Sequence, residues 1–301
     1  MNVFEFARRV EDDEKAYAFA LELGLVSSAP HCPTCLSEMR FERGKVRRGV
    51  NGIWRCVNPD CTNTAQSIFK NSVIDTTKLP PSKFLKVLFC LAEMKNVQEV
   101  MFDAGVSNKK VVQIHQTVRR MMSWSNQRHR QRIGGAGMTV EIDECKIRTR
   151  KYNVGRVVAG SKLWVVGGIC RETRRMFAVI TAVRDKDTLK KILFENVEKD
   201  STIYTDCWRG YVDVEEMGLG FVHGTVNHTT NFVNPTDPDI YTNTVERSWR
   251  SLKEALPKQV GLEHVQSYIE RFLFFHHAGC RNSGERFQAI VNLCQAFYPV
   301  N

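Results

Sequence analysis

The sequence predicts a mixed α/β sheet in the second half of the chain, preceded by a small cysteine-bearing unit and a group of helices. Three observations carry this. Val- and Ile-rich strand patterns give way to alternating helix and strand after residue 138. Four cysteines form two closely spaced pairs between residues 32 and 61. Apolar residues recur with helical spacing over 79–124. The 301 residues suffice for one large domain or two to three smaller ones, and 43% apolar residues can build real cores, which excludes wholesale disorder. No run approaches the roughly 18 apolar residues of a membrane span. The opening MNVFEFARRVEDDEK carries charge where a signal peptide needs an apolar stretch, so a soluble, intracellular chain with no membrane partner is expected.

Taken in order, Phe4, Phe6, Ala7, Val10, Tyr17, Ala18, Leu21 and Leu25 predict one amphipathic helix ending near Gly24. A knuckle-and-hairpin unit follows, with Arg40, Arg43, Lys45, Arg47 and Arg48 between its cysteine pairs. Three helices fit 79–124, starting at Pro80-Pro81-Ser82 and broken by Asn96 and by Gly105-Val106-Ser107. Gly134-Gly135-Ala136-Gly137 supplies a linker. Strands are expected at Met138–Ile142, Leu163–Cys170 and Met176–Val183, then a helix at Lys186–Val197, a strand at Thr202–Thr205, a helix near Tyr211–Met217 and a strand at Phe221–Val226. A polar loop, Asn227–Tyr241, leads into helices at 243–256, 263–279 and 284–297. The expected domains are 1–78, 79–137 and 138–301.

Charge divides unevenly. Residues 1–138 hold 21 Lys and Arg against 13 Asp and Glu, and residues 139–301 hold 22 against 20, so the first part carries +8 of the net +10. A basic excess gathered in one region suits a polyanion-binding module, because each phosphate contact releases condensed counterions. A solvated basic face would read the same on charge alone.

Cys32 and Cys35 sit two residues apart on a Pro-containing turn, Cys56 and Cys61 close a second turn, and 20 residues separate the pairs. Thiolates converging from two turns suit one structural tetrahedral Zn²⁺, which a unit with so little apolar mass needs in order to fold. The alternative is four unrelated buried cysteines. Cys90, Cys145, Cys170, Cys207, Cys280 and Cys294 lie in apolar patterns and read as core thiols.

Val97–Ala104 makes a short helix, Gly105 permits a turn, and Ser107 can cap a longer helix through Met122. This is a helix-turn-helix layout. Its second helix presents Asn108, Lys109, Lys110, Gln113 and Gln116 near its start, residue types that reach base edges and phosphates in a major groove. A plain three-helix bundle is the rival reading.

Val140-Glu141-Ile142-Asp143-Glu144 and Ile203-Tyr204-Thr205-Asp206 both end apolar strands in acids, and Glu246 opens a helix. In a sheet of the ribonuclease H type the first and fourth strands lie side by side, so acids ending them face one another. A cluster of Asp143, Asp206 and Glu246 can hold two Mg²⁺ (or Mn²⁺) ions for phosphodiester displacement. Solvated strand-end acids are the alternative.

Here the sequence resembles a known family. VEIDE, RKYNVGR, LWVVGGICRETRR, IYTDCWRGY, VNHTTNFV and YTNTVERSWRSLK, in that order from Met138 to about His277, closely resemble the Merlin-type DDE transposases and their bacterial insertion-sequence relatives. The N-terminal zinc ribbon and helix-turn-helix also suit that family. The resemblance puts the DDE triad on Asp143, Asp206 and Glu246, and it implies a ribonuclease H-like catalytic domain. Departures fall at Cys145 and Ile147, after the first acid. In several DDE families a Lys seven residues after the catalytic Glu contacts DNA near the cut. Lys253 has that interval from Glu246, with Arg250 one turn before it on the same face; the alternative is a lysine that meets only solvent or the helix C-terminus. Trp249 reads as core packing against the sheet, with stacking on a base as the alternative.

The implied activity is binding of terminal inverted repeats, cleavage at element ends and joining of 3′-hydroxyls to target DNA, by a homodimer or higher oligomer assembled on DNA. The rivals are a catalytically inactive zinc-ribbon regulator derived from a transposase and a plain structure-specific nuclease. Localisation would be nuclear in a eukaryote, or cytoplasm and nucleoid in a bacterium.

Overall fold

The computed structural model describes residues 1–28, 30–47, 49–62, 65–147, 163–206, 209–226, 239–257 and 261–300. Cys207 and the stretches RKYNVGR and NHTTNFV lie outside them. The chain divides into two compact units, Met1–Met122 with Cys280–Asn301, and Ser123–Gly279.

In the first unit the single expected N-terminal helix is two, α1 (Val3–Arg9) and α2 (Asp13–Glu22). The break has a local cause: the Asp12 carboxylate accepts the Lys15 N–H and restarts the helix, a cap that the acidic run Glu11–Glu14 provides. Next come a three-stranded antiparallel sheet, β1 (Met39–Arg47), β2 (Val50–Cys56) and β3 (Ala65–Ser67), and a short helix α3 (Val73–Thr77). The three expected helices are α4 (Pro81–Ala92), α5 (Val97–Ala104) and α6 (Asn108–Arg128). Asn96 and Glu99 form a reciprocal capping box at the start of α5, and Gly105 ends it at φ +60°, which glycine adopts without strain. The last helix, α10 (Ser283–Phe297), packs in this unit. Its Phe287 ring lies 5.4 Å from Phe6 and 5.6 Å from Phe89, closing an aromatic core with Phe19.

The second unit holds a five-stranded sheet with order β6-β5-β4-β7-β8. Its strands are β4 (Thr139–Ile147), β5 (Leu163–Cys170), β6 (Met176–Thr181), β7 (Thr202–Asp206) and β8 (Val222–Val226). β5 runs antiparallel to β4 and β6, whereas β7 and β8 run parallel to β4. Third, second, first, fourth, fifth, with only the second reversed, is the ribonuclease H-like order. Two single-turn 3₁₀ helices, Arg209–Tyr211 and Glu215–Met217, stand where an α-helix is expected near Tyr211–Met217, and Tyr211 turns inward to 1% exposure.

Helices cover both faces. Val140, Ile142, Val166 and Ile203 pack on Leu189, Ile192 and Leu193 of α7 (Lys186–Asn196). Cys145, Ile147, Val165 and Ile169 pack on Val245, Trp249 and Leu252 of α8 (Asn243–Ala255) and on Val265, Ile269 and Leu273 of α9 (Leu262–His277). No helix among the described residues is long and apolar enough to cross a membrane.

α8 has no side-chain cap of its own at Thr242. Its first N–H groups are taken instead by the sheet: Thr244 and Val245 donate to Glu141 Oε2 at 2.8 and 3.0 Å. Glu141 is fully buried, and Arg171 Nε donates to its other oxygen at 2.7 Å. The Arg171 guanidinium also donates to the Asp239 and Tyr241 carbonyls and lies 3.6 Å from the Tyr241 ring centre. A buried acid thus meets the positive end of a helix dipole and a cation together. Replacing Glu141 by Ala strands Arg171 and the α8 N–H groups, so it should destabilise the second unit by about 3 kcal/mol or more, read as a lowered denaturant midpoint. A midpoint equal to the parent's would show that α8 is held by its apolar face alone.

Candidate active site

The four knuckle cysteines converge. Cys32 and Cys35 turn just before β1, Cys56 is the last residue of β2, and Cys61 follows in the next turn. All four sulfurs lie within 4.8 Å of one another, with Cys32–Cys61 at 3.6 Å and Cys35–Cys56 at 3.5 Å, and none is in a disulfide. A tetrahedron with metal–sulfur bonds of about 2.3 Å has edges of about 3.8 Å, so the donor set fits a tetrahedral thiolate site. Hydrogen bonds from Ser37 pull the Cys35 thiol down to about 6, and backbone N–H groups of the knuckle lower Cys32, favouring the thiolate form that binds metal. Burial acts oppositely on Cys56.

Asn108, Lys109 and Gln113 are exposed at the start of α6. Lys110 is half-buried and donates to the Thr77 carbonyl at 2.9 Å and to Gln113 at 3.2 Å. One of the two adjacent lysines therefore ties α6 to the end of α3.

In the sheet, β4 pairs with β7 from Thr139↔Thr202 to Glu141↔Tyr204, while its pairing with β5 runs on to Ile147↔Leu163. β4 thus ends five residues later than expected, because β5 supplies partners all the way, and its acids lie within the strand. They stand where β4 and β7 part: two steps beyond the last pair, Asp143 on β4 comes level with Asp206 on β7. Adjacent residues of a strand face opposite sides. Asp143 belongs to the α8 face with Glu141 and Cys145, and Glu144 to the α7 face with Ile142. The rim between the strands lets Asp143, Glu144 and Asp206 meet, with one oxygen of each within 4.8 Å of the others.

Each acid is held differently. Trp249 Nε1 donates to Asp143 Oδ2 at 2.9 Å. Tyr211 donates to Glu144 Oε1, and Arg184 Nη1 to Oε2 at 3.3 Å. Burial pushes the Asp143 carboxyl up to about 7, with Glu144 and Asp206 adding to the rise and the Trp249 N–H opposing it. Burial also raises Glu144, and it lifts the Tyr211 phenol well above its ordinary range. Three acids crowded together, two of them resisting ionisation, form the oxygen donor set that a hard divalent cation relieves.

A cleft of 780 Å³ opens beside two of these acids, lined by Asp143, Glu144, Cys145, Glu246, Arg250 and Lys253 among others. The half-buried Glu246 thus shares the cleft with Asp143, although the tight cluster takes Glu144 as its third acid. Arg250 and Lys253 are exposed on the same face of α8. Burial raises the Cys145 thiol, and the Lys253 cation opposes the rise.

Sequence reasoning passed over Glu144 and Glu141 and took Trp249 as packing. Trp249 is indeed 4% exposed in the core, but its N–H reaches Asp143. Of the remaining cysteines, Cys90, Cys145, Cys170 and Cys294 are buried and Cys280 is half-buried.

A family model described as an ISXO2-like transposase domain matches residues 134–275. A transposase-like protein of Haemophilus influenzae is 32% identical over 100 residues, covering 32% of this chain and 76% of its own length. Two solved structures align weakly. The magnesium-bound HTLV-2 integrase catalytic core domain has 13% identity and a TM-score of 0.30, over 46% of this chain and 84% of its own. A chain of the simian T-cell lymphotropic virus intasome in complex with the PP2A regulatory subunit B56 gamma has 12% identity and a TM-score of 0.32, over 61% and 66%. With the domain match spanning the sheet and its acids, and the Haemophilus relative covered over three quarters of its length, the chain belongs to the transposase family and carries an ISXO2-like transposase domain.

Proposed function

We propose that the protein is a metal-dependent DNA transposase that binds terminal inverted repeats, cleaves element ends and joins the 3′-hydroxyl ends to target DNA. The observation that carries this is the convergence of Asp143 and Asp206 where two parallel strands part, with Glu246 lining the same cleft as Asp143. Asp143, Asp206 and Glu246 would hold Mg²⁺ or Mn²⁺, two ions per site. Bound there, the metal supplies activation of a water or 3′-hydroxyl and stabilises the leaving oxygen. The chain's own part is to fix the acids, to hold the half-buried Asp143 at the edge of the cleft, and to present Arg250 and Lys253 to phosphate oxygens. Both Glu144 oxygens are taken by Tyr211 and Arg184, which favours a supporting role for it.

The basic N-terminal region, with its zinc ribbon on Cys32, Cys35, Cys56 and Cys61 and the helix-turn-helix of α5 and α6, would read the element ends through Asn108, Lys109, Lys110 and Gln113. Assembly on DNA as a dimer or higher oligomer accompanies this reading. The motif order from VEIDE to YTNTVERSWRSLK favours a Merlin-type member.

Linear DNA bearing candidate element ends, incubated with Mg²⁺ and a target plasmid, should yield nicked ends and joined products. Asp143→Ala, Asp206→Ala and Glu246→Ala should each reduce both products to background while end binding persists, and Glu144→Gln should slow them by about tenfold. Nicks without joining would favour a structure-specific nuclease, and binding without either product an inactive regulator.

Purified protein should contain one equivalent of zinc by elemental analysis, lost together when Cys32 and Cys35 are replaced by Ser. Less than half an equivalent after reconstitution would leave the knuckle metal-free.

End binding by the full chain should weaken steeply with salt. Lys109→Ala should flatten the log–log salt slope by about 1. An unaltered slope would return α6 to the plain-bundle reading.

A further inference from the structure

Trp249 follows Glu246 by three residues on α8 and lies inside the core between α8 and the sheet. For packing alone an aliphatic side chain or Phe would serve, and neither brings a buried donor that must be satisfied. Here the donor is satisfied by one group, the Asp143 carboxylate, at 2.9 Å.

The sheet is shaped to allow this. Gly167 on β5 stands directly opposite Asp143 in the β4–β5 register. A Cβ at Gly167 would lie 2.4 Å from Cη2 and 3.2 Å from Cζ2 of Trp249, and 2.7 Å from the Phe177 carbonyl oxygen. A side chain on β5 would therefore push the indole off the strands. The helix supplies the ring and β5 supplies the space. Together they deliver one N–H to one oxygen.

The choice of donor also differs from that made for the neighbouring acid. Glu144 is held in part by a cation, Arg184, which offsets its charge. The indole is neutral and orients Asp143 without pairing a cation with it, so the carboxylate is left to pair with a metal.

We propose that Trp249 is a positioning residue for the divalent-cation site: its indole N–H holds Asp143 Oδ2 so that the carboxylate faces Glu144 and Asp206, and this sets the affinity for the ion. The proposal rests on the reading of Asp143 as a metal ligand.

The test is Mn²⁺ binding to the full-length chain by calorimetry, with Asp143→Ala defining the component due to this site. Two replacements separate hydrogen bonding from packing. Trp249→Phe removes the N–H and part of the ring. Substitution of 3-benzothienylalanine at position 249 keeps the bicyclic outline and puts sulfur in place of the N–H. Both should weaken the Asp143-dependent component by about tenfold, with thermal unfolding of the benzothienyl protein matching the parent's. Parent-like Mn²⁺ affinity in the benzothienyl protein would overturn the proposal, leaving the indole as packing alone, whatever the Phe variant does. A parent isotherm that Asp143→Ala leaves unaltered would overturn the metal-ligand reading and this proposal with it.

Discussion

Everything that α8 contributes depends on the carboxylate of Glu141, which gathers the first N–H groups of the helix and the Arg171 guanidinium beneath the sheet. An uncapped helix end resting on a strand would be free to slide or roll, and a one-position roll turns every side chain by about 100°. Fixing the N-terminus on Glu141 fixes where Glu246, Trp249, Arg250 and Lys253 emerge. Two positions along the same strand face, Asp143 meets Trp249, so the helix is registered against β4 at two acids spaced one strand repeat apart.

That registration has an electrostatic counterpart. Asp143, Glu144 and Asp206 are drawn together by strand geometry against their mutual repulsion, and burial raises the first two further. Such a site is strained toward protonation when alone and toward metal when a hard cation is offered. Hydrogen bonds from Trp249, Tyr211 and Arg184 offset part of that strain and decide the direction in which the oxygens point. The cations of the cleft, Arg250 and Lys253, stand one and two turns of α8 beyond Glu246, close enough to attract a phosphate.

Much of this was legible in the sequence where a signal is local. Helical periodicity, the Asn96 and Gly105 breaks and the Val-rich strands mark their elements, and the placement of first and fourth strands side by side follows from the order of elements. The knuckle spacing brought four cysteines together as expected. What stayed hidden depends on partners far along the chain. Glu141 looks like one more acid in an acid-rich motif, and its partners Arg171 and Val245 lie 30 and 104 residues away. The extension of β4 past Asp143 is set by β5 and not by β4 itself. One readable clue was left unused: Gly167-Gly168 inside an apolar strand marks a close approach, and at Gly167 the approaching group is the Trp249 ring.

The placement of α10 bears on the order in which the molecule can be completed. Phe287 fills the aromatic core of the first unit from the far end of the chain, while the sheet unit lies wholly between Ser123 and Gly279. A chain emerging from the ribosome therefore presents all segments of its acid-bearing sheet before the N-terminal helices receive the ring that closes their core. The unit made first is finished last, and a chain cut short after residue 279 would keep every carboxylate of the cleft yet leave Phe6, Phe19 and Phe89 facing water.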